Sequence, residues 1–211
     1  MRLSDRTLED FGNFLASDAP APGGGAAAAL AGSLGAALTH MVAALTVGKP
    51  RYAEHAGLMR ALLAETETLR AALLTAVDRD VEAFRGMGIV FAMPKGTEAE
   101  RDARRVAMQR ALRSCTLPPY EMMEYALAAL RLAEKALGRS NKSAVSDLGV
   151  SALLLKAALQ GAWLNVLINV GSVDDAAFAE RHRAGGAAML AEALPLADRI
   201  YETVSATIAG E

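Results

Sequence analysis

Two stretches of this chain carry almost no charge. Residues 26–47 contain no Lys, Arg, Asp or Glu, and residues 148–173 contain only Lys156. Each approaches the roughly 20 apolar residues needed to cross a bilayer. The first, however, is mostly Ala and Gly, which drive insertion weakly. The second holds Gln160, Asn165 and Asn169 and ends without basic or aromatic anchors. A helix that is apolar all round and lacks those membrane signals reads as the centre of a bundle or a subunit interface. The rest of the chain must then wrap around two such helices.

The remaining sequence agrees with an all-α, multihelical bundle with long central helices. Hydrophobic residues make up 53% of the 211, yet aromatics only 5%, a balance that favours helices packed through small side chains over sheet. No segment alternates like a strand, and no linker or repeat divides residues 1–211, which are read as one domain. Lys and Arg total 22 against 24 Asp and Glu. No block of one sign marks a nucleic-acid or membrane partner. The lone Cys115 rules out an internal disulfide, and no signal-peptide pattern opens the chain, so the cytoplasm is expected.

Local signals divide the chain into helices. Ser4 is a candidate cap for a first helix carrying Leu8, Phe11 and Leu15. Pro20, Pro22 and Gly23–Gly25 interrupt it. An Ala-rich helix then runs to about Val47, with Gly32 and Gly35 permitting close helix approach. A long helix covers about Arg51 to Met93 and stops at Pro94, and Thr97 with Glu100 forms a capping box for the next. Pro118 and Pro119 are expected to end that helix and open another to Gly138. Ser172 and Asp175 cap the last helix, where Pro195 predicts a kink.

Asp80 is the residue least explained by folding alone. Leu73, Ala76, Val77, Asp80 and Phe84 recur at spacings of three and four, so a carboxylate stands on the apolar face of the long helix. Burial there disfavours the ionised form and raises its pKa toward the range useful for general acid–base catalysis. A structural Asp, paired with an Arg or a helix end, is the competing reading. Gly23, Gly24 and Gly25 precede an uncharged helix, where backbone can approach a ligand closely. No Lys-Ser or Lys-Thr follows as in a Walker loop, and no strand precedes as in a dinucleotide site. Asn141, Lys142 and Asp147 concentrate polar groups before the second apolar helix, although Ser146 and Asp147 also suit a helix's first turn. Asn165 and Asn169 lie one turn apart within it and need partners, from a ligand or from backbone. His40, His55 and His182 share no metal-ligand spacing with Cys115, so no metal is expected. The methionines, including Met87, read as core or interface filling.

Taken in order, these segments resemble one family. Its pattern is followed by Pro22-Gly23-Gly24-Gly25, Leu45-Thr46-Val47-Gly48-Lys49 and Asp78-Arg79-Asp80-Val81-Glu82-Ala83-Phe84. Met93-Pro94-Lys95-Gly96-Thr97, Asn141-Lys142 with Ser146-Asp147, and Asn165 through Asn169 continue it. The family comprises the cyclodeaminase domain of formimidoyltransferase-cyclodeaminase and the stand-alone methenyltetrahydrofolate cyclohydrolases. The chain departs from it at Ala26, where Ser is usual, and at Ser140 and Ser143, where Gly and Asn are frequent.

The resemblance implies an interlocked homodimer with folate held near the subunit boundary, and Asp80 as the catalytic residue. It implies a tetrahydrofolate derivative as substrate and no metal or redox cofactor. Gly23, Gly24, Gly25, Asn141, Lys142, Asp147, Asn165 and Asn169 are the expected substrate contacts. Cyclohydrolase activity at the 5,10-methenyl bridge is favoured because the transferase half is missing. The ammonia-releasing cyclodeaminase of histidine breakdown is the alternative, and a non-catalytic folate-binding helical dimer is the reading from another class.

Overall fold

The computed structural model describes residues 2–210. Its elements are α1 (Leu8–Leu15), α2 (Gly24–Ala44), α3 (Ala56–Phe91), α4 (Glu98–Ala136), α5 (Val145–Val170) and α6 (Ala176–Ala209). Short 3-10 turns precede α1, α3 and α5, and no strand occurs among the described residues. The uncharged α2 lies at the centre, against α3, α4 and α5, and α6 closes over α4 and α5. One core cluster takes side chains from every helix from α2 to α6, Ala26 through Val204. By length and composition alone α2 and the Lys142–Val170 segment could cross a membrane. Their inner faces are instead occupied by this core.

Small residues make the central contact possible. A Cβ on Gly35 would stand 2.7 Å from Leu155 Cγ and 3.1 Å from the Ser151 carbonyl. Between these helices the Ser151 hydroxyl donates to the Gly35 carbonyl at 2.7 Å and lies 2.9 Å from Thr39 Oγ1. The buried hydroxyls are thereby satisfied, as a tight apolar interface requires. The expected role of Gly35 is therefore the observed one.

Three boundaries differ from the sequence reading. The first helix is capped by Thr7, whose hydroxyl accepts from Asp10 N, while Ser4 is taken up elsewhere: its hydroxyl and backbone N–H donate to Asp78. The start of the long helix is tightened into a 3-10 turn over Pro50–His55, with α-helix from Ala56. Most consequentially, α4 runs unbroken through Pro118 and Pro119. Each proline lacks the N–H that would reach the carbonyl four residues earlier. The carbonyl that Pro119 leaves free belongs to Cys115, and there the Asn169 amide donates at 2.9 Å. A side chain from α5 thus replaces the missing helical donor, and the helix survives. The capping box holds as expected, with Glu100 N donating to Thr97 and Thr97 N to the Glu100 carboxylate, and Asp175 caps α6.

Candidate active site

The glycine loop, α3, α4 and the end of α5 enclose a cleft of ≈ 570 Å³, a size suited to a small organic ligand. Gly23, Gly24, Gly25, Asp80, Asn165 and Asn169 all line it. Asp80 rises from α3 against the first turn of α2. A Cβ on Gly25 would fall 2.2 Å from Asp80 Oδ1 and 2.6 Å from its Cγ. No other residue fits, so Gly25 is what admits the carboxylate. Loss of hydration on burial lifts the Asp80 pKa from 3.8 to about 6, and the Ala26 backbone N–H pulls weakly the other way. Desolvation wins over the favourable helix start.

The neighbouring Asp78 shows what a structural carboxylate looks like here. It accepts from Leu3 N at 2.6 Å and from the Ser4 hydroxyl at 2.5 Å, tying the N-terminal segment to α3. Asp80, two residues on, points into the cleft. Its neighbour Arg79 is engaged by Glu121, and among the described residues no cation pairs with Asp80.

Two amides face the carboxylate from α5. Asn165 Nδ2 donates to the Gly161 carbonyl at 2.8 Å and sits 3.8 Å from where a Gly24 Cβ would be. Asn169 is fixed by the Cys115 carbonyl. Among the described residues no protein donor reaches either amide oxygen, which leaves both as acceptors for N–H groups of a ligand. Apolar walls come from Phe84, Met87, Phe91, Met108, Leu112 and Ile168. An acid–base group between flat apolar walls and two free acceptors suits a nitrogen-rich heterocycle.

Three expected contacts lie elsewhere. Asn141 is buried and braces the turn before α5: its N–H donates to Thr46 Oγ1 at 2.9 Å, its Nδ2 to Leu45 O at 3.3 Å, and its Oδ1 accepts from Ser143 N. Lys142 is exposed, with its backbone N–H on the Tyr52 hydroxyl. Asp147 occupies the first turn of α5, where a carboxylate complements the helix dipole. At 1.5 Å per residue, Asp147 is ~27 Å along α5 from Asn165. Within one chain these residues do not join the cleft.

The α4 wall was missed. Met108, Leu112 and Cys115 line the cleft at spacings of four and three, a short apolar stripe on the more charged half of the helix. Met87, read as filling, is buried but lines the cleft as well. The Cys115 thiol lies against Ala83 O at 3.2 Å, and burial, with the Asp80 charge, raises its pKa, which keeps it protonated and unreactive.

Fold and site together define an all-α protein with a single desolvated carboxyl group set in an apolar, amide-lined cleft. The family described as formiminotransferase-cyclodeaminase matches residues 7–187, and the chain belongs to it. A methenyltetrahydrofolate cyclohydrolase from Methylorubrum extorquens is 40% identical over 204 residues, covering 97% of this chain and 98% of that protein. Formimidoyltransferase-cyclodeaminase from Rattus norvegicus is 34% identical over 191 residues, 90% of this chain but 35% of the rat protein. The chain thus spans about a third of that bifunctional relative. The crystal structure of formiminotetrahydrofolate cyclodeaminase from Thermotoga maritima superposes with a TM-score of 0.79 at 27% identity, covering 99% of this chain and 98% of that one.

Proposed function

We propose that this chain is a methenyltetrahydrofolate cyclohydrolase, in which Asp80 activates water for attack on the carbon bridging N5 and N10. The observation that carries the reading is the Asp80 carboxyl, held in the cleft with a pKa near 6, in a chain 40% identical over nearly its whole length to a cyclohydrolase. Ionised at neutral pH, Asp80 stabilises the cationic methenyl centre and takes a proton from water as the oxygen bonds to carbon. The tetrahedral intermediate then opens: Asp80 returns its proton to N5, the C–N5 bond breaks, and the hydroxyl proton leaves to solvent as the carbonyl forms. The products are 10-formyltetrahydrofolate and one net proton. A pKa just below the working pH suits a group that must both take and give a proton. This sequence of steps calls for no metal or redox group.

In the same proposal the pterin lies between the apolar walls, its ring N–H groups meeting the oxygens of Asn165 and Asn169, with Gly23–Gly25 backing it. The enzyme acts as a homodimer in the cytoplasm. Exposed apolar side chains support the dimer: Leu34 and Met41 on α2, with Leu45 just past its end, and Val150, Leu153 and Leu164 on α5 form stripes at helical spacing. Ile168, 73% exposed, belongs both to the α5 stripe and to the cleft, so a second copy packed there borders the folate. Lys142 and Asp147 reach the substrate only from that second copy.

The test follows the methenyl chromophore. Purified protein should bleach 5,10-methenyltetrahydrofolate faster than the blank, and Asp80→Asn should lower the rate at least about a hundredfold. The full-length likeness to the Thermotoga maritima cyclodeaminase favours a second reading, ammonia release from 5-formiminotetrahydrofolate. Ammonia produced from that compound without hydrolysis of the methenyl compound would replace the first reading by the second.

A further inference from the structure

We propose that Gln109 is a positioning residue for the folate ring: its side-chain amide clamps the turn after α5 and so keeps Asn169 facing Asp80. This deepens the folate reading above and rests on it. Gln109 lies half-buried in the first half of α4 and lines the cleft. Its Nε2 donates to the Ser172 carbonyl at 3.0 Å, and its Oε1 accepts from the Asp174 N–H at 2.8 Å. A carbonyl on one side and an N–H on the other fix which end of the amide is which. The side chain thus pairs with the backbone of the turn at both of its polar ends.

Two attachments do what one cannot. Asn169 Nδ2 donates to the Cys115 carbonyl at 2.9 Å. A single bond of this kind is a pivot, about which the end of α5 can still swing and carry the Asn169 oxygen with it. Gln109 stands six residues before Cys115 on α4, ~9 Å along the axis, so its bonds make a second, well-separated point. The grip reaches Asn169 through one residue, because the Ser172 N–H donates to the Asn169 carbonyl at 3.2 Å, and the Gly171 N–H donates to Leu167 O at 3.1 Å. With both points in place, the α5 end is fixed in position and in direction along the cleft wall.

The neighbouring tie does a different job. Arg113, one turn further along α4, pairs with Asp175 at 3.3 Å and lies over the Phe178 ring at 5.8 Å. It grips the start of α6 and is not part of the cleft lining. Stability does not call for the Gln109 pair. Ser172 and Asp174 are exposed, so water satisfies their backbone groups when the amide is lost. Water does not hold the turn in one place, and the fixed geometry is what disappears.

Gln109→Met keeps the length of the side chain and removes both bonds. An amide that holds the ring in substrate and transition state alike contributes to binding and not to the chemical step. The variant is therefore expected to raise KM for 5,10-methenyltetrahydrofolate, and the dissociation constant of 5-formyltetrahydrofolate, about tenfold. Its kcat should stay within about threefold and its melting temperature within about 3 °C of wild type. Arg113→Met should leave KM within about threefold. In an Asn169→Ala background the effect of Gln109→Met on KM should vanish, because Gln109 acts through that residue. Hydrogen exchange without ligand should show the Gly171 and Ser172 amides opening at least about tenfold faster in Gln109→Met. An unchanged KM, an equal rise in Arg113→Met, an effect that persists beside Asn169→Ala, or unchanged exchange would each overturn the proposal. Wild-type protein that neither turns over the methenyl compound nor binds 5-formyltetrahydrofolate would overturn the folate reading, and the positioning role with it.

Discussion

At the scale of single residues, Asp80 sets stability and chemistry against each other. Its folded pKa, about 6, lies above the ordinary 3.8, so the unfolded chain ionises first as pH rises. Burial therefore costs nothing below about pH 4, and the penalty grows to its full size by about pH 6 and stays. A shift of that extent corresponds to up to about 3 kcal/mol. Asp80→Asn is thus expected to raise the melting temperature at pH 7.5 while abolishing most activity, and to gain nothing at pH 4; calorimetric melts at the two pH values check it. The rate should show the same group. kcat/KM is expected to rise through about pH 6 and level off above, and a pH–rate profile with no inflection between 5 and 7 would remove Asp80 as the base. Gly25→Ala should keep the fold but displace the carboxylate, lowering kcat at least about tenfold, because a methyl group cannot occupy the space 2.2 Å from Oδ1. Asp80 was legible in the sequence because a carboxylate interrupts an apolar face. Gly25 read as a point of close approach to a ligand, but its tightest constraint is the Asp80 side chain from another helix, which local spacing does not contain.

At the scale of helices, the join between α4 and α5 is the informative one. Pro118 and Pro119 read as a break because an isolated helix cannot replace two lost donors. Asn169 supplies one of them from α5, and the same bond orients it in the cleft. Asn169→Ala should cost about 1–3 kcal/mol by leaving the Cys115 carbonyl unpaired. Adding Pro119→Ala restores a backbone N–H to that carbonyl, so the double variant should recover stability while its KM for folate stays raised. Chemical denaturation and steady-state kinetics on the four proteins of this cycle separate the two roles. Additive stability losses would show that the bond does not replace the missing donor. The capping box at Thr97 and the close approach at Gly35 were readable from local composition. The α4 wall was not, because its stripe at Met108, Leu112 and Cys115 gains meaning only once α3 is opposite.

For the molecule as a whole, the absence of charge along α2 and its scarcity along α5 announced their central place before any coordinates. It also predicted surplus: Leu34, Leu153 and Leu164 remain exposed after the core is filled. Light scattering should return twice the 22.0 kDa chain mass, and Leu153→Glu/Leu164→Glu should shift it toward the monomer with reduced turnover. Lys142 and Asp147, expected as substrate contacts, stand at the far end of α5 from Asn165; sequence motifs carry no information about which end of a ~39 Å helix faces the site.

The cleft draws on the α2 start, the last third of α3, the first half of α4 and the α5 end. No contiguous piece of the chain contains the whole site without also containing most of the fold. A chain severed in the Met93–Thr97 turn leaves Asp80 on one fragment and both cleft asparagines on the other. Neither fragment alone then carries the acid–base group together with the amides that face the ligand space.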